Sequence, residues 1–136
     1  MNYFLAKSEP QVYSISDLEH EGSTIWDGIK NAQALQAVRA MRPGDRVFIY
    51  HSGGESSIVG LAEVATEPAI DPKDPKSVIV SFRFLLKIEP ATSLKDVKAS
   101  GLFDDFALVR QSRLSTMAAP KSFVSWMKKR YPKLKI

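Results

Sequence analysis

Arg46-Val47-Phe48-Ile49-Tyr50-His51, then Ser52-Gly53-Gly54-Glu55-Ser56, then Ser57-Ile58-Val59-Gly60-Leu61-Ala62-Glu63-Val64, is the stretch whose reading decides the fold. Both outer runs are rich in β-branched and aromatic residues and the segment between them carries the glycines of a turn, so the whole reads as a β-hairpin. A third run, Ser77 to Ile88, alternates in part and then turns solidly apolar, as a strand does on passing from an edge into a covered region. Pro90 is expected to end it. Between hairpin and third strand, Pro68 to Lys76 holds three prolines and two aspartates and reads as a surface loop too short to separate domains.

Toward the N-terminus, residues 2 to 7 alternate and are aromatic-rich, which argues a first strand with Phe4 and Ala6 on one face and Tyr3, Leu5 and Lys7 on the other. Pro10 stops it, because it cannot donate to a ladder. Ser14 to Leu18 has the pattern of a short helix opened by a serine cap and closed by Gly22. Trp26-Asp27-Gly28 reads as a turn that presents an indole, and Asn31 to Met41 as a helix burying Leu35, Val38 and Met41. Toward the C-terminus, Ser93 to Val97 repeats the capped helix start. Leu102, Phe103 and Phe106 add apolar weight to a loop or short helix, Leu108-Val109-Arg110 reads as a last short strand, and Pro120 to Arg130 as a helix with Pro in its first turn. Strands grouped in the middle with short helices around them make an α+β protein with a curled or barrel-like sheet.

The 136 residues suit one domain spanning 1–136, and 44% hydrophobic with 25% charged residues is an ordinary globular composition. With no Cys there is no disulfide framework, thiolate catalysis or cysteine-bound metal. The first residues lack the pattern of a signal peptide and no apolar run approaches membrane-spanning length, so the expected location is the cytoplasm or another soluble interior. The net charge of +4 is unevenly spread: all 15 acidic residues lie at or before Asp105, whereas the last 30 positions carry 8 Lys or Arg and no acid. Such a basic end is the electrostatic footprint of a phosphate-backbone partner, or else a solvated helix face with a frayed tail.

Catalytic constellations are weak. His51 and Ser52 are adjacent at a strand end, where side chains point to opposite faces, so a hydrogen-bonded His at a hairpin is the better reading. His20 sits in a polar stretch, no spacing resembles a metal-ligand motif, and Gly53-Gly54 opens no helix. A binding pocket is more coherent. Ser8 at a strand end, Trp26 and Asn31 around a turn, Ser52 at the hairpin, and Ser112 between Arg110 and Arg113 are short polar groups and one aromatic plate at element ends. Flat heteroaromatic ligands are held by such stacking and edge bonding, and an extruded nucleobase is one of them. The competing reading of Trp26 is that it caps the core, with Asp27 as the N-cap of the next helix.

Six stretches carry a family pattern in order along the chain. They are Lys7-Ser8-Glu9-Pro10, Tyr13 to Leu18, Trp26-Asp27-Gly28-Ile29-Lys30-Asn31, Tyr50-His51-Ser52, Ile58 to Val64, and Arg110-Gln111-Ser112-Arg113-Leu114-Ser115. In these the chain resembles the EVE domain, a PUA-like module related to YTH domains. The resemblance implies a PUA-like curved β-barrel flanked by short helices, with a central pocket for a modified base of DNA or RNA, no cofactor and no established catalysis. On it, Trp26 stacks on the flipped base, Ser8, Asn31 and Ser52 bond its edge, Asp27 shapes the turn or accepts from an exocyclic amine, and Arg110, Ser112 and Arg113 meet phosphates or brace the pocket. Phe4 stands where family members commonly carry Trp. Ala32 to Gln36 replaces a Tyr-Gln-Ala-Arg-Asn run, which removes one pocket wall and one phosphate contact. Rival expectations are a hydrolase acting on modified nucleotides, with Asp27, Glu9 or His51 as acid or base, and a protein-interaction module.

Overall fold

The computed structural model describes residues 1–136. In chain order the elements are Tyr3–Ser8 (β1), Ile15–Glu21 (α1), Ser23–Trp26 (β2), Ala32–Arg39 (α2), Arg46–His51 (β3), Ser57–Val64 (β4), Ala69–Asp71 (β5), Asp74–Ser93 (β6), Leu94–Ala99 (α3), Ala107–Arg110 (α4), Thr116–Ala118 (β7) and Lys121–Arg130 (α5). The strands form one mixed sheet in the order β2-β6-β4-β3-β1-β7, with β5 paired to β6. It curls into a half-barrel carrying short helices, the α+β, PUA-like architecture expected from the sequence. No helix is long and apolar enough to cross a membrane.

The hairpin forms where the residue pattern places it. β3 and β4 pair antiparallel from Arg46↔Glu63 to His51↔Ser57, with a bulge between Ile49 and Tyr50. Every residue of β3 after Arg46 is buried, because the sheet is covered on both faces. On one face Phe48 meets the ring of Phe123 edge-on at 5.5 Å, and Phe103 and Phe106 complete that aromatic cluster beneath α5. β1 lies parallel to β3, so α1, β2 and α2 serve as the crossover between them.

The helix starts follow local chemistry. Ser14 and Asp17 form a reciprocal capping box at α1, and Ser93 and Asp96 form another at α3. Gly22 closes α1 at φ +84, a conformation that favours glycine. α1 lies against the middle of the sheet because β4 has no side chain at Gly60. A Cβ built there would come 2.3 Å from Cδ1 of Ile15 and 3.1 Å from the carbonyl oxygen of Leu86.

Four expectations need correction. Trp26 is the last residue of strand β2, not part of a turn; the turn begins at Asp27, and β2 pairs antiparallel with β6, Trp26 opposite Val80. Pro68 to Lys76 is not a plain loop, because Ala69–Asp71 and the start of β6 pair as a hairpin with Ile70 opposite Val78. Pro90 does not end the third strand. The ladder jumps from Gly60↔Lys87 to Ile58↔Thr92, so Pro90 falls in the irregular stretch between them, where no donor is required. Leu108 to Arg110 is a helical turn, since the N–H groups of Val109 and Arg110 both bond the carbonyl of Phe106. The last strand is Thr116–Ala118 instead, recruited by the free edge of β1 through Leu5 opposite Met117.

Gly60→Ala is expected to destabilise the protein by about 1–3 kcal/mol, as overpacking does, because either α1 lifts or Ile15 leaves its rotamer. Urea denaturation measures it, and an unchanged midpoint would show that the approach of α1 is not close.

Candidate nucleic-acid interface

A cleft of about 570 Å³ opens between the end of β1 and strand β2. β1 brings Lys7 and Ser8 to it, with Glu9 just beyond. The carbonyl of Glu9 then accepts from the N–H groups of Val12 and Tyr13, a tight turn that swings the Tyr13 ring across the opening. β2 supplies Thr24, Ile25 and Trp26 on the other side, and Asp27 to Lys30 make the floor of the connection to α2. Gly28 takes φ +72 in that connection, and Ser77 pins it by donating its hydroxyl to the carbonyl of Ile29 at 2.6 Å.

Two aromatic planes meet here. The rings of Tyr13 and Trp26 stand edge to face, 6.4 Å apart at 80°, and Trp26 leans on Phe82 at 5.1 Å. Trp26 is half-buried, so it covers part of the core and lines the cleft at once; both readings of its sequence context are realised. Val12 and Ile25 flank the opening and are 78% and 59% exposed, an apolar rim around the aromatic corner.

The polar groups divide into balanced charges and neutral hydroxyls. Lys7 and Lys30 face Glu9 and Asp27 across the same space. The Lys7 ammonium donates to the carbonyl of Ser112 at 3.0 Å and lies 5.5 Å from the Tyr50 ring centre, and burial lowers its pKa from the ordinary lysine value. Burial, reinforced by the hydrogen bond its hydroxyl donates to Glu21, raises the pKa of Tyr13 and keeps the phenol neutral. Ser8 Oγ is buried with no protein partner, the one such hydroxyl on a cleft residue.

Of the residues singled out from sequence, Ser8, Trp26 and Asp27 line the cleft. Asn31 does not. It is the N-cap of α2, and its side-chain oxygen accepts from the N–H groups of Gln33 and Ala34, so the competing assignment of Asp27 as cap is also set aside. Ser52 is likewise engaged elsewhere: its N–H and hydroxyl both bond the carbonyl of Ser8, at 2.9 and 3.3 Å, so it braces the strand end that carries the cleft residue. None of Arg110, Ser112 and Arg113 lines the cleft, and of the three only Ser112 bonds a residue that does. Ser112 offers its carbonyl to Lys7, Ser115 reaches the wall itself, and Arg110 pairs with Asp105 at 3.0 Å in an exposed contact. Ala32 is exposed outside the cleft, and Leu35 is a core residue. His51 has both ring nitrogens hydrogen-bonded, to Ile15 N–H and to Glu55, as a buried hairpin histidine.

The basic C-terminal segment is not one surface. The Arg110–Arg113 loop adjoins the cleft, but α5 and the tail gather at the opposite end of β1, where Lys128 sits over the Tyr3 ring and the carbonyl of Lys135 accepts from Arg46. From Tyr3 to Ser8 the strand spans roughly 17 Å. Sequence reasoning overlooked Tyr13 as a wall. Its signal is an aromatic side chain placed immediately before a serine helix cap and just after a proline turn.

A PUA-like half-barrel with a ligand-sized aromatic cleft at one end is the class of domain that this fold and site define. The EVE domain model matches residues 2–129, and the chain belongs to that family. Thymocyte nuclear protein 1 of Rattus norvegicus is 33% identical over 125 residues, covering 71% of this chain and 55% of its own. The chain thus spans about half the length of the curated relatives it matches. A protein of Rhodopseudomonas palustris solved by NMR superposes with a TM-score of 0.91 at 34% identity, over 100% of this chain and 97% of its own. Human THYN1, solved in complex with 5-methylcytosine-containing DNA, shares the fold with a TM-score of 0.88 at 24% identity, over 98% and 99% of the two chains.

Asn31→Ala is expected to lower stability by about 1 kcal/mol through loss of the α2 cap. Thermal denaturation checks it; an unaltered melting curve would return Asn31 to the list of free cleft donors.

Proposed function

We propose that the protein binds nucleic acid and receives a modified base, turned out of its stack, in the cleft beside Trp26. The observation that carries this reading is the aromatic corner. Trp26 offers a partly open ring face, Tyr13 closes one side at 80°, and exposed Val12 and Ile25 extend the apolar rim. A flat heteroaromatic ring fits such a corner; the Ser8 hydroxyl lacks a protein partner but is buried, and must be uncovered before it bonds the edge of that ring. Asp27 is placed to accept from an exocyclic amine, while Arg113, exposed beside Ser112, meets the backbone outside. The human relative solved with 5-methylcytosine-containing DNA supports the same partner class.

Magnitudes assign the work. Stacking on one aromatic ring contributes about 1–3 kcal/mol. Turning a base out of a duplex costs a few kcal/mol, least at weakened or single-stranded positions. The base alone therefore does not carry the affinity, and phosphate contacts must supply the surplus, which makes binding salt-dependent.

Titration against single- and double-stranded DNA and RNA oligonucleotides, each with methylated, oxidised or unmodified bases, is expected to rank one modification first. Trp26→Ala is expected to weaken that preferred ligand about ten- to a hundredfold and to erase the ranking. Equal affinity for all the oligonucleotides, untouched by Trp26→Ala, would remove the pocket from the mechanism. Arg113→Ala is expected to weaken all the ligands alike and to flatten the slope of log affinity against log salt by about one contact's worth. A slope identical to that of the unaltered protein would place the phosphates elsewhere.

A further inference from the structure

His51 ends β3 and does not line the cleft, yet it is 4% exposed and fully engaged. Its Nε2 accepts from the backbone N–H of Ile15 at 3.0 Å, and its Nδ1 lies 3.0 Å from Oε2 of Glu55. A backbone N–H can only donate, so Nε2 must present its lone pair. The ring is therefore neutral, with its single proton on Nδ1 donated to Glu55.

Ile15 is the first residue of α1 and is tied down twice. Its N–H is held by His51 on β3, and its side chain rests on Gly60 of β4. Tyr13, two residues earlier, has its edge contact with Trp26, its phenol beside Glu21 and Thr24, and the turn bond to the Glu9 carbonyl. Because it leads directly into α1, the position of its ring relative to Trp26 also depends on where the start of α1 is anchored.

We propose that His51 is a positioning residue for the cleft: its neutral imidazole anchors α1 through the Ile15 N–H and thereby fixes the Tyr13 ring against Trp26. The consequence for binding rests on the function proposed above; the placement of Tyr13 does not. The charged groups on the neighbouring elements are Glu55 in the turn, Asp17 in the first turn of α1, Lys7 on β1 and Glu9 just past it. β4 meets His51 with Ser57. Of these charged groups only Glu55 hydrogen-bonds the ring.

NMR of the full chain without ligand tests the placement directly, because the Tyr13 ring protons sense the Trp26 ring. Two variants separate the roles. His51→Gln puts an amide oxygen near the Nε2 position, able to accept from Ile15. His51→Leu keeps bulk and loses the acceptor. Tyr13 resonances are expected to move toward those of an unpacked tyrosine in His51→Leu and to stay in place in His51→Gln. Affinity for the preferred oligonucleotide is expected to fall roughly tenfold in His51→Leu and to return in His51→Gln.

Unmoved Tyr13 resonances in folded His51→Leu would overturn the proposal, as would resonances displaced as far in His51→Gln as in His51→Leu. Should His51→Leu fail to fold, His51→Ala, which also removes the acceptor, takes its place. A Tyr13 response as expected, with no oligonucleotide bound by any variant, would uphold the positioning role and refute the base-binding function.

Discussion

The seat of Ile15 on Gly60 is the contact on which the rest of the arrangement depends. β4 lies between β3 and β6, and one missing side chain on it lets α1 approach the sheet as closely as a helix can. A helix of seven residues is far too short to persist by itself. It is held by its capping box, by burial of Ile15 and Leu18, and by the His51 bond to its first N–H. The Tyr13 side of the cleft mouth hangs on those attachments, because Tyr13 belongs to the turn that leads into α1.

β6 provides the opposite wall by a different device. It is 20 residues long and pairs in turn with β5, β2 and β4, so one strand belongs to several parts of the curled sheet. Its break in register around Pro90 lets it bend without losing the ladder on either side. β2 is suspended from its outer edge, which sets the Trp26 ring over Phe82 with its remaining surface facing Tyr13. The aromatic corner therefore comes from one short helix pressed inward and one short strand hung outward.

The parts of this fold that were legible in the sequence are those decided by near neighbours. The β3–β4 hairpin announced itself through two β-branched runs about a glycine turn, and both serine-capped helices through the serine that opens each. What was not legible was decided at a distance. Thr116–Ala118 has no strand period worth reading and pairs only because β1 has a free edge. Asn31 and Ser52 were read as ligand donors because they are short polar groups at element ends. A helix cap and a backbone brace want the same groups in the same places, so only the structure separates those uses. Tyr13 was hidden for the converse reason: its partner Trp26 is brought near by the seating of α1 on the sheet and the pairing of β2 with β6, which no local pattern announces.

Charge was the feature most altered by folding. A linear reading gathers the basic residues at the C-terminus, whereas the structure sends the Arg110–Arg113 loop to the cleft and α5 with the tail to the far end of β1. The cleft itself is not a cationic funnel, since Lys7 and Lys30 are matched there by Glu9 and Asp27. Phosphate would gain little inside such a space, because each carboxylate offsets an ammonium and a partly buried ammonium is already less favourable as an ion. A neutral ring has no such conflict, and on the proposed function the carboxylates accept from its amines while Trp26 takes its face. On the proposed function the division of labour follows directly, with backbone attraction assigned to the arginines outside the cleft and discrimination to the aromatic and hydroxyl groups within it.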